Sequence, residues 1–475
     1  MLKLLVRDSV SYSIANAIQK IIPIAIIPLI TAHLGENGLK VYDVSFVYAY
    51  LFSWLVILGQ DAAAAVYYFD ETKQNFDKGR VISNAFFLQC CSFLLFFIVF
   101  APFKSLLSNA LFPNDADIAA YWSKALLIIP GQVVFNYALN ILLWKRRKGA
   151  YIFLCSIQAI LSVSSVYLFV VVWNGGVSQL FDALIFSAGI TGLCSLFFIS
   201  KNIFVNPFPL DKILIRRLLL FGLPLCLTSF FQQLLPAIDR FFLLHYQHNN
   251  ELAQYILAVK MGAVVNLGIS AFVLAFTPYS LKKLNEPGAE KELSELFTVI
   301  STAAFILVPA ALVFKDVLIG FFADSSYQLS GKLLPFFFFA WVFDLFTYFS
   351  MLGAYKKQSS GIVLGMFILS TCLISILNLA LIPQFGVYGA AVSFCITKIA
   401  LFIAPLLYFR RYFKLDIDIN RFLIAFSIGA VCSYLLYRVD FILFILILLV
   451  VIGAAVLYLR KLIQESSYLF LKIEK

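Results

Sequence analysis

The long apolar runs that recur along this chain constrain its fold more than any other feature. Each run is close to the roughly 20 residues that a helix needs to cross a bilayer, and none alternates with the period of a β-strand. Because a spanning segment must satisfy its own backbone hydrogen bonds, such runs predict transmembrane helices. The fourteen candidate spans are centred on residues 9–33, 43–67, 82–108, 120–143, 150–173, 180–200, 217–245, 252–277, 296–320, 330–353, 359–383, 387–409, 422–437 and 441–459.

The composition of the 475 residues agrees with this prediction, since 62% are hydrophobic and only 13% are charged. Soluble proteins are nearer half apolar and a quarter charged. The spans leave only short connections, so no soluble catalytic domain fits, and the chain lacks a phosphate-binding Gly-x-x-x-x-Gly-Lys-Ser/Thr motif. We expect an all-α polytopic membrane protein with about 14 transmembrane helices. A pump that carries its own nucleotide-binding domain is excluded.

The basic residues predict the topology. Most of the 36 Lys and Arg residues lie at the N-terminus, in the connections that follow even-numbered spans, and in the C-terminal tail. By the positive-inside rule, we expect both termini in the cytoplasm. These residues form short clusters between apolar spans, so the net charge of +11 reflects topology and predicts no nucleic-acid partner. The opposite connections carry only Lys40, Lys104, Lys124, Lys315, Lys332 and Arg438.

We expect the cysteines to pack in the core and the N-terminal apolar run to remain in the protein as a transmembrane helix. All eight cysteines lie within apolar runs and lack the spacing of metal ligands, so we expect core packing and no metal site. The first apolar stretch follows Arg7 and Asp8 and lacks a small-residue cleavage site. It is therefore expected to be a retained helix and not a signal peptide.

An internal repeat predicts the domain organisation. Gln19–Pro23 in the first span corresponds to Gln232–Pro236 in the seventh, and Val56–Ala62 corresponds to Val265–Ala271. Six helices thus repeat once, in parallel, about an axis along the membrane normal. The predicted parts are an N-terminal six-helix lobe (1–200), a cytoplasmic inter-lobe linker (201–215), a C-terminal six-helix lobe (216–410), and helices 13 and 14 with a cytoplasmic tail (411–475).

A segment that runs from Asn378 to Ala391 resembles a family signature. It reads Asn-Leu-Ala-Leu-Ile-Pro-Gln-Phe-Gly-Val-Tyr-Gly-Ala-Ala. This resembles the Asn-Leu-x-Leu-Ile-Pro-x-(Tyr/Phe)-Gly-(Ile/Val)-x-Gly-Ala-Ala pattern of bacterial polysaccharide flippases, the Wzx-type O-antigen and repeat-unit transporters. Phe221–Pro224 and Leu58–Asp61 look like the same family. The chain is thus similar, along its whole length, to the multidrug/oligosaccharidyl-lipid/polysaccharide exporter superfamily.

The resemblance implies a function, a location and partners. It implies two lobes around a central cavity, lined mainly by helices 1, 2, 7 and 8, that alternates between inward- and outward-open states. The implied cargo is an undecaprenyl-diphosphate-linked oligosaccharide, such as an O-antigen repeat unit, which is turned over in the lipid bilayer of the bacterial inner membrane. The polysaccharide polymerase machinery is a further implied partner. No cofactor is expected beyond a coupling H⁺ or Na⁺.

Ionisable residues within the predicted spans are the candidate site residues. An isolated charge at the bilayer centre costs about 3 kcal/mol or more, so such residues face a wet cavity or a partner. Basic groups suit an anionic diphosphate, and Lys20 and Arg240 are the first candidates to bind it. The alternatives are that Lys20 extends to the interface and that Arg240 pairs with a nearby acid. The complete set is Lys20, Asp61, Asp239, Arg240, Lys260, Asp344 and Lys398.

The two other basic residues are weaker candidates for the same cargo. Lys260 lies nearer the outer end of its span, and Lys398 lies on a helix expected to be more peripheral. The three acids are candidates for ion coupling, because an acid in a low-dielectric cavity can hold a proton near neutral pH. Asp61 is preferred over Asp239 and Asp344. A structural ion pair is the alternative for each acid.

Three other functions remain open. A lipid II flippase and a drug/cation antiporter belong to the same superfamily, although basic intramembrane residues suit an anionic cargo better. A membrane glycosyltransferase, polymerase or ligase belongs to a different class. Such an enzyme needs acids or histidines held in a sizeable outer loop, whereas the outer connections here are short. We therefore do not expect an enzyme and assign no catalytic residue.

Overall fold

The computed structural model shows an all-α chain and describes residues 2–69, 77–112, 115–203, 210–246, 248–357, 359–437 and 447–453. The helices are α1 (Leu2–Ile57), α2 (Gln60–Phe69), α3 (Lys78–Leu111), α4 (Ala116–Leu126), α5 (Ile129–Trp144), α6 (Lys148–Val166), α7 (Val177–Ile203), α8 (Lys212–His245), α9 (Asn249–Lys283), α10 (Ala289–Leu312), α11 (Lys315–Phe322), α12 (Gln328–Ser350), α13 (Leu352–Lys357), α14 (Ser360–Phe409) and α15 (Ile419–Leu435). A π-helical turn (Tyr167–Val172) extends α6, and a 3₁₀ turn (Ser325–Tyr327) precedes α12.

Aspartates begin several of these helices. Their carboxylates accept backbone N–H groups that have no partner within the helix, which fixes where the helix starts. Asp115 accepts from the amide of Ile118, and Asp211 accepts from the amides of Ile213 and Leu214. Asp77 and Asp418 cap α3 and α15 in the same way.

Nine helices in the described part of the chain are long and apolar enough to cross a membrane, or ten if the bent pair α4 and α5 forms one span. The segments Ala17–Phe69 (53 residues) and Gly361–Phe409 (49 residues) exceed one crossing of roughly 20 residues. The backbone leaves the helical conformation within them at Gly35 (φ 63°) and Gly386 (φ 55°). Each therefore holds two spans.

The first thirteen predicted spans all correspond to described helices. The shorter apolar helix α15 accounts for the thirteenth, and most of the fourteenth, 441–459, lies outside the described residues. The prediction of an all-α polytopic membrane protein is confirmed. Two details differ from the sequence prediction. Residues 34–42, predicted as an outer connection, are helical apart from the break at Gly35, and the second span is broken at Leu58 and Gly59. Glycine is common within membrane helices, so Gly59 alone did not predict a break.

The first of two compact units comprises the residues up to Ile256 together with Val363–Val387. Within it, α1 packs against α4, α6 and α8. Buried aromatic and aliphatic side chains from α5, α6 and α8, including Phe135, Leu154 and Leu214, form part of its core. Such a core keeps the polar groups of α1 and α8 in fixed positions.

The second unit comprises Leu257–Ile362 and the residues from Tyr388 onward. Its core is a cluster of phenylalanine rings from α10, α12, α14 and α15, many packed edge to face, the arrangement that the ring quadrupole favours. The rings include Phe297, Phe305, Phe343, Phe346, Phe402, Phe422 and Phe426.

The boundaries of the two units differ from those of the predicted lobes, 1–200 and 216–410. The two lobes stay a prediction.

Candidate functional site

Helix α8 carries two of the predicted site residues, Asp239 and Arg240. The helix begins after its cap, Asp211, and ends at His245. Arg240 lies five residues before that end, which is about 8 Å along the helix axis. The topology prediction puts this end of α8 on the outer side of the membrane. Both residues are therefore expected in the outer half of the span.

Arg240 forms a buried ion pair with Asp43 of α1. Its Nε and Nη2 atoms both donate to Asp43 Oδ2, each at 3.1 Å, and its Nη1 atom donates to the carbonyl oxygen of Pro236 at 3.1 Å. The guanidinium group also lies over the ring of Tyr255, 5.4 Å from its centroid. Arg240 is 2% exposed and Asp43 is 0% exposed. Such burial is tolerated because partners supply both opposite charge and hydrogen bonds.

Asp239 is held by a different set of partners. Its Oδ2 atom accepts a hydrogen bond from the Tyr255 hydroxyl at 2.7 Å, and its Oδ1 atom accepts one from Asn378 Nδ2 at 2.9 Å. Asn378 is the first residue of the segment that resembles the flippase signature, so this hydrogen bond gives that asparagine a physical role. We call Asp43, Asp239, Arg240, Tyr255 and Asn378, all buried, the α8 charge cluster.

The α8 charge cluster contains two acidic residues and one basic residue. With both carboxyl groups ionised, these five buried residues together carry one net negative charge. A proton on one carboxyl, or a bound cation, offsets the cost of burying that charge. The amide oxygen Oδ1 of Asn378 accepts no hydrogen bond from the described residues. The cluster therefore has both the charge and a buried acceptor that suit a small cation.

A second contact of α8 lies at Gly59 and Gly222, and we call it the glycine contact. The chain leaves the helical conformation at Leu58 (φ 52°) and Gly59 (φ 64°) before α2 begins. A Cβ atom on Gly59 would lie 2.3 Å from the carbonyl oxygen of Gly222, so only glycine permits this approach. Gln60 Nε2 donates to the carbonyl oxygens of Leu58 and Leu218, at 3.2 and 3.3 Å. Two segments that resemble the same family thus pack against each other.

Asp61 directly follows the glycine contact, in the first turn of α2. Its side chain is half-buried, and it takes part in no ion pair within the described ranges of the chain. The positive end of the helix dipole favours a carboxylate at this position. Among the described residues, the structure therefore shows no ion pair that holds Asp61 in place.

Asp344 and Lys398 are brought together in the second unit, on α12 and α14. The lysine ammonium forms a hydrogen-bonded ion pair with the carboxylate. It also lies 5.4 Å from the ring centroid of Trp341 and 5.6 Å from that of Phe394. The side chain of Lys398 is 14% exposed and that of Asp344 is 23% exposed, so the pair is only partly desolvated. The predicted roles of Lys398 in cargo binding and of Asp344 in ion coupling stay predictions.

Lys20 on α1 and Lys260 on α9 are both half-buried. Each interacts with other residues of the protein. Lys20 belongs to the first unit and Lys260 to the second. Their predicted roles as cations for the cargo diphosphate stay predictions.

The sequence patterns did not indicate that Asp43, Tyr255 and Asn378 belong to the site. Asp43 is the first residue of the second predicted span, where an acid is ordinarily explained as interfacial. The signal that points to it is its place in an apolar stretch, between Tyr42 and Val44. Across the described ranges, no group of three His, Cys, Asp or Glu side chains is arranged to hold a metal ion.

Comparison with known proteins identifies a family for the sequence and similar folds among solved structures. The model of the family described as polysaccharide biosynthesis protein matches residues 5–284. A structure of the lipid II flippase MurJ, in an inward closed conformation, aligns with a TM-score of 0.72 at 15% identity and covers 95% of this chain and 99% of that chain. No curated protein matches the chain.

Two further solved structures, both of transporters, have the same fold. An inward-facing multidrug resistance MATE family transporter of the MOP superfamily has a TM-score of 0.64 at 14% identity, covering 82% of this chain and 94% of that chain. A MOP superfamily transporter from Pyrococcus furiosus has a TM-score of 0.59 at 16% identity, covering 86% and 94%. At these identities the likeness shows the fold. These solved structures are described as those of a flippase and of transporters, and the all-α polytopic fold that they share with this chain is the one that the sequence predicts.

Proposed function

The chain belongs to the polysaccharide biosynthesis protein family, and we propose that it is a flippase for an undecaprenyl-diphosphate-linked oligosaccharide. The cargo would be an O-antigen or a similar repeat unit, moved across the bacterial inner membrane by ion-coupled alternating access. The observation that carries the proposal is the family match to residues 5–284, since that stretch includes Lys20 and Arg240. Cytoplasmic termini and delivery of the cargo to polymerase machinery are parts of the same proposal.

The charges within the spans support an anionic cargo. A diphosphate headgroup must leave water to cross the membrane, and a fixed ammonium or guanidinium group offsets the cost with charge-assisted hydrogen bonds. Lys20 lies fifteen residues before the break at Gly35, about 22 Å along α1, whereas Arg240 lies about 8 Å from the end of α8. We infer that the two cations act at different depths, with Lys20 near the middle of the membrane and Arg240 near its outer side.

Lys260 and Lys398 complete the proposed set of cations, and the acids are proposed for coupling to H⁺ or Na⁺. Asp61 remains the first candidate because it is half-buried and has no ion-pair partner among the residues that the structure describes. Asp239 lies in the α8 charge cluster, whose excess negative charge suits a proton. Asp344 is already neutralised by Lys398, which makes it the weakest of the three.

A lipid II flippase is the second candidate function. It is favoured by the TM-score of 0.72 to the structure of the lipid II flippase MurJ. A drug/cation antiporter has the same fold but would need a cavity suited to cations. The family description, which names polysaccharide biosynthesis, favours the oligosaccharide cargo.

Transport in proteoliposomes tests the proposal. The purified protein is reconstituted with undecaprenyl-diphosphate-linked oligosaccharide, and an external glycosidase measures how much sugar crosses the bilayer. The wild-type protein should move this cargo, and an H⁺ or Na⁺ gradient should accelerate it. Movement of lipid II alone would support the second candidate function. Failure to move either lipid, or export of a cationic drug instead, would overturn the flippase assignment.

Variants of Lys20 test the proposed cation. Lys20→Ala should slow transport about tenfold or more, because a hydrogen bond to a charged group contributes about 1.5 to 3 kcal/mol. Lys20→Arg should retain part of the rate, because the charge is kept while the geometry changes. Lys124→Ala is the matched control, since Lys124 pairs with Asp182 at 2.9 Å in a predicted outer region. Equal rates for Lys20→Ala and the control would remove Lys20 from the site.

A further inference from the structure

The burial of Arg240 limits how it can meet any cargo. The guanidinium group is 2% exposed, and its Nε, Nη1 and Nη2 atoms are all engaged. A diphosphate therefore cannot reach Arg240 in the structure as it stands. If Arg240 binds the cargo, as the proposed function holds, one of its present partners must first leave.

Asp43 is the partner that a phosphate can replace. One carboxylate oxygen, Oδ2, accepts from both Nε and Nη2 of Arg240 at 3.1 Å, so Asp43 occupies the edge of the guanidinium group with which arginine also binds phosphate oxygens. The contacts of Arg240 with the Pro236 carbonyl and the Tyr255 ring lie on other sides of the group. Replacing Asp43 by phosphate would leave both of these contacts in place.

The exchange would also release a contact between two helices. Asp43 belongs to α1, and Tyr48 on the same helix donates a hydrogen bond to the carbonyl oxygen of Ala237 on α8 at 3.2 Å. These two interactions join α1 to the part of α8 that is predicted to lie near the outer side. A competitor for Arg240 removes the charged part of that connection and leaves the neutral hydrogen bond from Tyr48, which is the weaker of the two interactions.

We propose that Asp43 is a positioning residue that occupies the phosphate position on Arg240, and that the diphosphate of the cargo displaces it. This inference rests on the proposed function. Between transport cycles, Asp43 keeps Arg240 charged, ordered and out of contact with lipid. When the headgroup arrives, the phosphate takes the place of Oδ2, and α1 separates from α8 near Tyr48 and Ala237. Asp43 then returns to Arg240 as the cargo leaves.

Binding of undecaprenyl diphosphate to the purified full-length protein tests the competition. Asp43→Asn removes the competing carboxylate, so its affinity for the probe should rise about tenfold over wild type, because a site that is otherwise occupied binds more weakly in proportion to its free fraction. Asp43→Glu keeps the charge and should bind with nearly the wild-type affinity. A structural role alone predicts that Asp43→Asn binds no more tightly.

The matched control separates competition from a general change in charge. Asp115→Asn also removes one carboxylate, from a buried pair with Lys40, which lies three residues before Asp43 on the same helix. Asparagine is as good a helix cap as aspartate, so α4 should keep its start. The affinity of Asp115→Asn should stay within about twofold of wild type, because neither Lys40 nor Asp115 contacts Arg240 and sites without shared partners act nearly independently. An equal rise in both variants would overturn the proposal.

Hydrogen–deuterium exchange on the wild-type protein keeps the proposal testable if Asp43→Asn does not fold. Undecaprenyl diphosphate should increase amide exchange in segments 36–50 and 236–246, and it should not do so at the glycine contact. Binding without any change in these two segments would refute the displacement of Asp43. Absence of binding by the wild-type protein would instead refute the proposed function, so the two failures are distinguishable.

Discussion

Replacing Gly222 by alanine should destabilise the protein by about 1 to 3 kcal/mol, because the glycine contact leaves no room for a methyl group. An added Cβ atom would lie 2.6 Å from the carbonyl oxygen of Leu58 and 2.8 Å from Gln60 Nε2. Overpacking of this kind costs about 1 to 3 kcal/mol, and loss of the Gln60 hydrogen bond to Leu218 costs about 1 kcal/mol more. The higher helix propensity of alanine returns about 1 kcal/mol.

Thermal unfolding in detergent measures this effect. The midpoint of Gly222→Ala should fall by at least about 2 °C, since a change of 1 kcal/mol shifts a domain of moderate size by roughly that amount. Gly365→Ala on α14 is the matched control, because a Cβ atom there would meet no other atom within 4 Å. It should be neutral or slightly stabilising. A midpoint for Gly222→Ala equal to or above that of the wild type would refute the argument that the two segments are in direct contact.

Three further predictions concern topology, coupling and the second unit. Cysteine labelling should place Arg147, Lys212 and Lys357 in the cytoplasm and should place His248, Ser325 and Asn114, the last of which lies outside the described residues, on the outer side. Reversal of either set would contradict the positive-inside assignment. Asp61→Asn should leave the melting temperature nearly unchanged and abolish the dependence of transport on an ion gradient; a large loss of stability would instead make Asp61 structural. A double-mutant cycle of Asp344→Asn and Lys398→Met should give a coupling of about 0.5 to 3 kcal/mol in unfolding, whereas additive effects would mean that the ion pair contributes nothing.

The sequence by itself determined the class of fold. Spans of about 20 apolar residues admit one backbone solution in lipid, so hydropathy alone predicted the all-α polytopic chain and nearly every described helix. The segments Phe221–Pro224 and Asn378–Ala391 predicted the family that the comparisons found. A charged side chain within a membrane span has a high free-energy cost, so the sequence alone was enough to identify the candidate residues.

Only the tertiary structure shows which partners these charged side chains contact. Arg240 pairs with Asp43, 197 positions away in the chain, and Asp239 is held by Asn378, 139 positions away. A hydropathy profile depends only on each side chain and on its neighbours in the sequence. An ion pair between two helices depends also on how each helix is rotated about its axis and on the depth of each residue in the membrane. Those quantities are set by packing, as at Gly59 and Gly222, where the absence of two side chains brings backbones together. For this reason the sequence alone does not distinguish a basic side chain that contacts the cargo from one that forms an ion pair with a carboxylate of the protein.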